Sequence, residues 1–157
     1  MNVANKIVYG FSNEKNRKIR KMYCKLLQII FGLDLGIDVK IGSNVQFRHG
    51  GLGTVIHPDT VIEDNVIIYS NVTVGKALPW IEASPDNWGG VILGKGCILG
   101  TGARVLGKAE PLIVGSNTII GANSVLTCST GVNEVWAGIP ATKLRDRDKD
   151  EQSEKHI

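Results

Sequence analysis

The sequence is poor in the residues that would commit it to several common designs. Its three cysteines, Cys24, Cys97 and Cys128, form no C-x-x-C pair and cannot all pair with one another. Neither a disulfide framework nor a thiolate metal site is suggested, and reduced thiols in a cytoplasmic protein are expected. No segment approaches the roughly 18 successive apolar residues of a membrane span. The opening MNVANKIVYG also lacks the basic, apolar and small-residue regions of a secretory signal. Charge is nearly balanced, with 18 basic against 15 acidic residues and a net +3, which leaves little case for nucleic-acid binding. What remains is a chain of 157 residues, 43% hydrophobic, with room for one folded domain.

Its distinguishing content is a repeat. Aliphatic residues recur every six positions at Leu35 and Ile41 (with Phe47 in series), at Ile56, Ile62, Ile68 and Val74, at Leu93, Leu99 and Val105, and at Val114, Ile120, Leu126 and Val132. Four positions after most of them stands a small or β-branched residue: Val39, Val45, Thr60, Val66, Val72, Cys97, Ala103, Thr118, Ser124 and Thr130. Glycine often follows the aliphatic residue directly, and Asn65, Asn71, Asn117 and Asn123 supply turn residues that tolerate positive φ. A period of six fits neither a helix nor a two-sided strand. It fits a short strand and a tight turn repeated as a solenoid, with one large side chain filling the axis and a small one where the walls converge. Two stretches break the register: Gly75 to Gly90, rich in Pro, Gly and Trp, and Lys108 to Ile113. Both read as loops leaving the repeat, where binding residues concentrate. Trp80 and Trp88 are then either hydrophobic anchors for the first loop or substrate-stacking residues.

Before the repeat, residues 13–31 carry apolar side chains at Ile19, Met22, Tyr23, Leu26, Leu27 and Ile30 and end at Gly32. The spacing predicts one amphipathic helix, N-capped by Ser12 or Asn13. Lys15, Arg17, Lys18, Arg20, Lys21 and Lys25 crowd the same segment. The helix either covers the open end of the solenoid or presents a basic face to an anionic membrane. Three units follow from this reading: 1–33 helical, 34–144 repeat, and 145–157 a polar tail expected to be disordered.

The stretch FRHGGLGTVIHP, Phe47 to Pro58, interrupts the hexads with two histidines and a burst of glycine. Together with Asp34, fifteen residues before His49, it resembles the core of the serine acetyltransferases, a family of hexapeptide-repeat acyltransferases. The likeness continues through IEDNV, SNVTVG and VGSNTIIGANSVLT and closes on AGIPATKLR, about 110 residues in all. The resemblance implies an all-β solenoid, a left-handed parallel β-helix with a short N-terminal helix. It implies acetyl-CoA as co-substrate, His49 as general base and Asp34 as the carboxylate orienting it. It implies a homotrimer with active sites between subunits, coenzyme contacts from Thr101, Ala103, Ala122 and Thr127, and coenzyme phosphates near Lys143 and Arg145. The chemistry agrees: a thioester is already activated and needs no metal, only a base near neutral pH, which histidine supplies. Backbone N–H groups of the glycine-rich step could hold the oxyanion. His57 reads as an exposed turn residue, and His156 falls in the tail.

Three departures bear on the acceptor. The family's large N-terminal helical domain is replaced by a short helix. Arg48 stands where the family has an aspartate that helps hold the amino group of serine. The 75–90 loop contains neither the arginine nor the histidine that engages the serine carboxylate. These contrasts favour a sugar hydroxyl, as in the short capsular and exopolysaccharide O-acetyltransferases, with Arg48 and Trp88 contacting the acceptor. The alternative is serine itself, for which the terminal Ile157 would serve to dock a partner sulfhydrylase.

Overall fold

Each hexad folds as one short extended segment and one corner, so the chain visits three faces in turn. The computed structural model describes residues 2–82, 84 and 86–147; His156, Ile157 and most of the expected polar tail lie outside them. The first face holds β1 (Asp34–Leu35), β4 (Val55–Ile56), β7 (Thr73–Lys76), β10 (Arg104–Gly107) and β13 (Val125–Leu126). On the second are β2 (Lys40–Ile41), β5 (Thr60–Ile62), β8 (Val91–Leu93) and β11 (Leu112–Val114). The third carries β3 (Gln46–Phe47), β6 (Ile67–Ile68), β9 (Ile98–Leu99), β12 (Ile119–Ile120), β14 (Glu134–Gly138) and β15 (Ala141–Asp146). Strands within a face are parallel, except that β14 and β15 form an antiparallel hairpin.

Register explains the repeat. Phe47 lies beside Ile68, Ile68 beside Leu99 and Leu99 beside Ile120, and all four are fully buried. Val66, Val72, Cys97, Ala103, Thr118 and Ser124, the small positions, are equally buried. Asn44, Asn65, Asn71, Asn117 and Asn123 turn the corners with φ between 56° and 59°. Asparagine tolerates that conformation better than most residues because its short side chain hydrogen-bonds locally. Here the amides also meet rung to rung, Asn117 Nδ2 donating to Asn133 Oδ1 at 3.2 Å.

Two expectations are corrected. The N-terminal segment is two helices, α1 (Val3–Asn13) and α2 (Arg17–Phe31). Asn13 ends α1 instead of capping a single helix, and α2 is capped by Asn16, whose side chain accepts from the Lys18 N–H at 3.0 Å. The last hexad is also not one. Val132 is 60% exposed, because Glu134 gathers the Gly131 N–H and the Trp136 indole N–H and starts a hairpin there. That hairpin runs to Asp146, so Lys143 and Arg145 are strand residues.

The helices close the lower end of the stack. A parallel stack leaves unpaired N–H and C=O groups on its first coil. Asn5 Oδ1 accepts from the Phe47 N–H at 2.9 Å and Asn2 Nδ2 donates to Phe47 O at 3.3 Å. The Arg20 guanidinium donates to Ile37 O and Val39 O at 2.8 and 3.0 Å while lying 3.9 Å over the Phe11 ring. Ala4, Val8, Phe11 and Leu27 extend the interior column into the helices. The covering role weighed from the sequence is therefore filled, and Arg20 fills part of it.

Because Leu99 sits fully buried in mid-column and Val132 sits at the surface, the two leucine- and valine-to-alanine changes should differ sharply. Leu99→Ala should cost about 2–5 kcal/mol, and Val132→Ala should stay within about 0.5 kcal/mol, measured by denaturant unfolding.

Candidate active site

Where the coil carries extra residues, the chain leaves the prism. Ile56 pairs with Val74, eighteen residues on, whereas Leu35 pairs with Ile56, twenty-one on. The three additional residues lie in the corner between β3 and β4, where Arg48–Gly51 form a tight 3-10 turn. His49, Gly50, Gly51 and Gly53 all have positive φ, from 53° to 72°. His49 is the one side chain carried in that left-handed stretch, a conformation uncommon outside glycine and worth attention at a functional site. The glycines are demanded by packing as well as by φ. A Cβ on Gly50 would meet the Phe31 ring at 3.1 Å, one on Gly51 would press on Leu33 and Phe47, and one on Gly53 would overlap Asn71 Oδ1.

His49 is exposed, and its ring centroid lies 6.2 Å from that of Tyr69, a neighbour that no sequence motif singles out. Tyr69 stands at the same corner one coil higher. Asp34 lies on the coil below the bulge: its N–H donates to Thr54 O at 2.9 Å, and the Gly53 N–H donates to Gly32 O at 3.1 Å. Stacking thus brings the Asp34 and His49 segments together, but no ion pair or hydrogen bond joins the two side chains. The amides of Leu52, Gly53 and Thr54 are spent on the carbonyls of His49, Gly32 and Gly51, which removes them from the oxyanion role expected of the glycine-rich step. Arg48 is half-buried, and its Nε is buried with no hydrogen-bond partner.

Above the bulge the same corner continues coil by coil. The Asn71 N–H donates to Leu52 O, Gly102 N–H to Ser70 O and Asn123 N–H to Thr101 O, at 2.7, 3.0 and 2.9 Å. Thr101 and Ala122 are exposed on this edge, in line with His49. Ala103 is not available to a surface ligand: its side chain is fully buried, its N–H donates to Gly100 O and its carbonyl accepts from Thr73. Thr127 is exposed on a different edge, after β13. Lys143 is already engaged by Glu134 at 2.8 Å and Asp146 at 2.7 Å. Those partners raise its pKa, Asp146 most, and Lys143 in turn holds the Glu134 carboxyl low. Arg145 donates to Asp146 O at 3.1 Å.

The long loop is anchored by the residue expected to touch the acceptor. Trp88 is only 8% exposed. Its indole N–H donates to Asp59 Oδ2 at 2.9 Å, and its ring lies 4.6 Å from that of His57. It therefore packs the loop onto the prism and has no face left for a substrate. Trp80 is 76% exposed. His57 is correspondingly half-buried, with Nδ1 accepting the Asp59 N–H at 3.2 Å. Burial lowers its pKa, opposed by Asp59 and reinforced by Lys76.

Two predictions follow from this corner geometry. Neutral His57 is favoured in the folded state, so unfolding takes up protons below its ordinary pKa near 6.5. Stability should be fully present above that pH and fall as pH drops through the lower folded value, and thermal melts from pH 7.5 to 5 should show a shallower decline in His57→Asn. Gly53→Ala, strained by φ and overlapping Asn71, should lower the melting temperature clearly, whereas Gly75→Ala, whose Cβ meets nothing within 4 Å, should leave it nearly unchanged.

No protein-family model matches the chain. The chain is 30% identical over 135 residues to a serine acetyltransferase of Staphylococcus aureus, covering 85% of this chain and 59% of that protein. A Brucella abortus serine acetyltransferase solved in complex with coenzyme A superposes with a TM-score of 0.72 at 27% identity, over 83% of this chain and 49% of that one. A serine acetyltransferase solved in complex with cysteine gives a TM-score of 0.77 at 25% identity, over 96% and 57% of the two chains. The chain spans about half the length of the curated relatives it matches. By sequence and by fold the chain is similar to the serine acetyltransferases.

Proposed function

We propose that the chain transfers acetyl from acetyl-CoA to a hydroxyl acceptor, with His49 as general base. The observation that carries this reading is the single edge that holds His49 on its bulge with Thr101 and Ala122 exposed above it. An extended pantetheine laid along that edge would bring its thioester to the imidazole. His49 takes the proton of the acceptor hydroxyl as the oxygen attacks the thioester carbonyl. The tetrahedral intermediate then expels the thiolate, which recovers the proton from the imidazolium, and an ester and the free thiol leave. Asp34, on the coil below, is the carboxylate for the other ring nitrogen; such hydrogen bonds commonly tighten only with substrate in place. Lys143 and Arg145 lie near the end of the stack for the coenzyme phosphates. On this reading the faces wind as a left-handed solenoid, and three copies set their His49 edges against one another. The free thiols of Cys24, Cys97 and Cys128 suit a reducing cytoplasm, the buried Cys97 being pushed up to about 12.

The acceptor needs a correction. A sugar hydroxyl was expected, yet the relatives carry the name serine acetyltransferase, so serine is the better-supported acceptor. Arg48, half-buried beside the proposed base with an unpartnered Nε, is the specific observation that keeps a saccharide in contention, because its charge opposes an ammonium.

Acetyl-CoA turnover against serine, nucleotide sugars and oligosaccharides tests both levels. With the best acceptor, His49→Ala should lose roughly 100- to 10,000-fold in kcat while folding normally; unchanged turnover would remove His49 as base. Serine as the best acceptor, with Arg48→Asp improving its KM, would fix the acceptor; turnover confined to saccharides would reverse it.

A further inference from the structure

Helix α2 has two apolar faces, and only one of them is used by the fold. Leu27 is fully buried, and Tyr23, Cys24 and Phe31 pack partly against the core. A second stripe runs at Ile19, Met22, Leu26, Ile29 and Ile30, spaced i, i+3, i+7, i+10 and i+11. These residues are 37%, 53%, 38%, 70% and 59% exposed. One stripe of this length on one helix exceeds the scattered apolar exposure normal to a folded surface.

The charges bordering the stripe say what it fits. From Lys15 to Phe31 there is no aspartate or glutamate. Arg17 pairs with Asp38 at 2.9 Å and Arg20 is spent on the Ile37 and Val39 carbonyls. Lys15, Lys18, Lys21 and Lys25 remain exposed, and none of them forms an ion pair within the described residues. A second copy of the same helix would set lysine against lysine. An anionic surface with an apolar interior satisfies both sectors, because lysine stems lie along the apolar boundary and carry their ammonium groups to phosphate. No helix among the described residues is long and apolar enough to cross a membrane, so the contact is peripheral.

We propose that α2 docks the protein onto anionic lipid bilayers, burying Ile19, Met22, Leu26, Ile29 and Ile30 among the acyl chains while Lys18, Lys21 and Lys25 engage lipid phosphates. The inference stands apart from the acyl-transfer reading, since none of these residues belongs to the proposed site. It has a geometric consequence for that site, because Phe31 at the end of α2 packs against Gly50 of the His49 bulge. A docked α2 holds the bulge at the bilayer surface.

The test is co-sedimentation of the full chain with phosphatidylcholine vesicles, with and without phosphatidylglycerol. Binding is expected only to the anionic vesicles at low ionic strength and should weaken as salt screens the lysines. Lys18→Gln/Lys21→Gln/Lys25→Gln should reduce partitioning roughly a hundredfold. Met22→Ser/Ile29→Ser should abolish it at the same thermal melting temperature and the same mass in solution. Absence of binding to the anionic vesicles at low salt overturns the proposal. So does a Met22→Ser/Ile29→Ser variant that still binds vesicles but falls to a smaller assembly, since the stripe would then lie between copies of the chain.

Discussion

The parallel ladder that joins each strand to the third one along is the constraint on which the rest of the molecule depends. Once Leu35 must lie beside Ile56 and Ile56 beside Val74, every coil has to deliver a side chain of similar size to the same point on the axis. The interior has no freedom to trade volume between coils, as a layered core can. That is why the large positions are nearly all Leu, Ile or Val, and why Cys97, Ala103 and Ser124 recur where the walls close. The corners inherit the rule, because a turn in two or three residues requires positive φ, and asparagine supplies it while bonding to the next asparagine in line. A ladder of this kind has no natural end, so both ends are closed by other means. The helices, through Asn2, Asn5 and Arg20, satisfy the first coil, and the β14–β15 hairpin covers the last.

A strict ladder also decides where variation can occur. Extra residues cannot enter a strand without shifting every register above it, so they leave at corners: three at the His49 bulge, three after β10 and thirteen after β7. The His49 corner lies on the edge that continues through Tyr69, Thr101 and Ala122. A repetitive scaffold thereby gains one corner where an imidazole stands in the left-handed conformation that the other corners give to asparagine. Glycine is the means, since Gly50, Gly51 and Gly53 let the bulge lie flat against Phe31, Leu33 and Asn71.

What could be read in the sequence follows from the same physics. The hexads were legible because each buried column uses one residue class at a fixed interval, and the candidate base because three glycines announced the break around it. The first helix was missed: α1 contains Gly10 and two asparagines, which dilute its periodic signal, and it is held by tertiary bonds such as Asn5 to Phe47 that have no local signature. Val132 was misread because it keeps the interval while Glu134 diverts the chain. Trp88 and Ala103 were assigned to ligands because residue type reveals nothing of which side of the wall a side chain faces. How the Asp34 and His49 segments meet could not be read from their interval, because it is set by stacking between coils.

Scaffold and acceptor are recorded by different numbers of residues, and this bears on how far the likeness to serine acetyltransferases reaches. Interior and corner positions along the whole stack fix the prism and its His49 edge. The acceptor meets only the few residues around the bulge. One charge there counts heavily: a guanidinium about 4 Å from a substrate ammonium opposes it by roughly 1 to 4 kcal/mol between bulk water and a protein surface, up to about a thousandfold in affinity. Arg48 is held in place by a half-buried side chain with an unpartnered Nε, so it cannot swing fully into solvent without cost to its packing. If serine is the acceptor, its ammonium must lie on the far side of His49 from Arg48. A bound carboxylate or phosphate would meet the opposite condition and complete the bonding of Arg48. The sign of the charge that the acceptor presents to this one residue therefore separates the two substrate classes, where overall similarity does not.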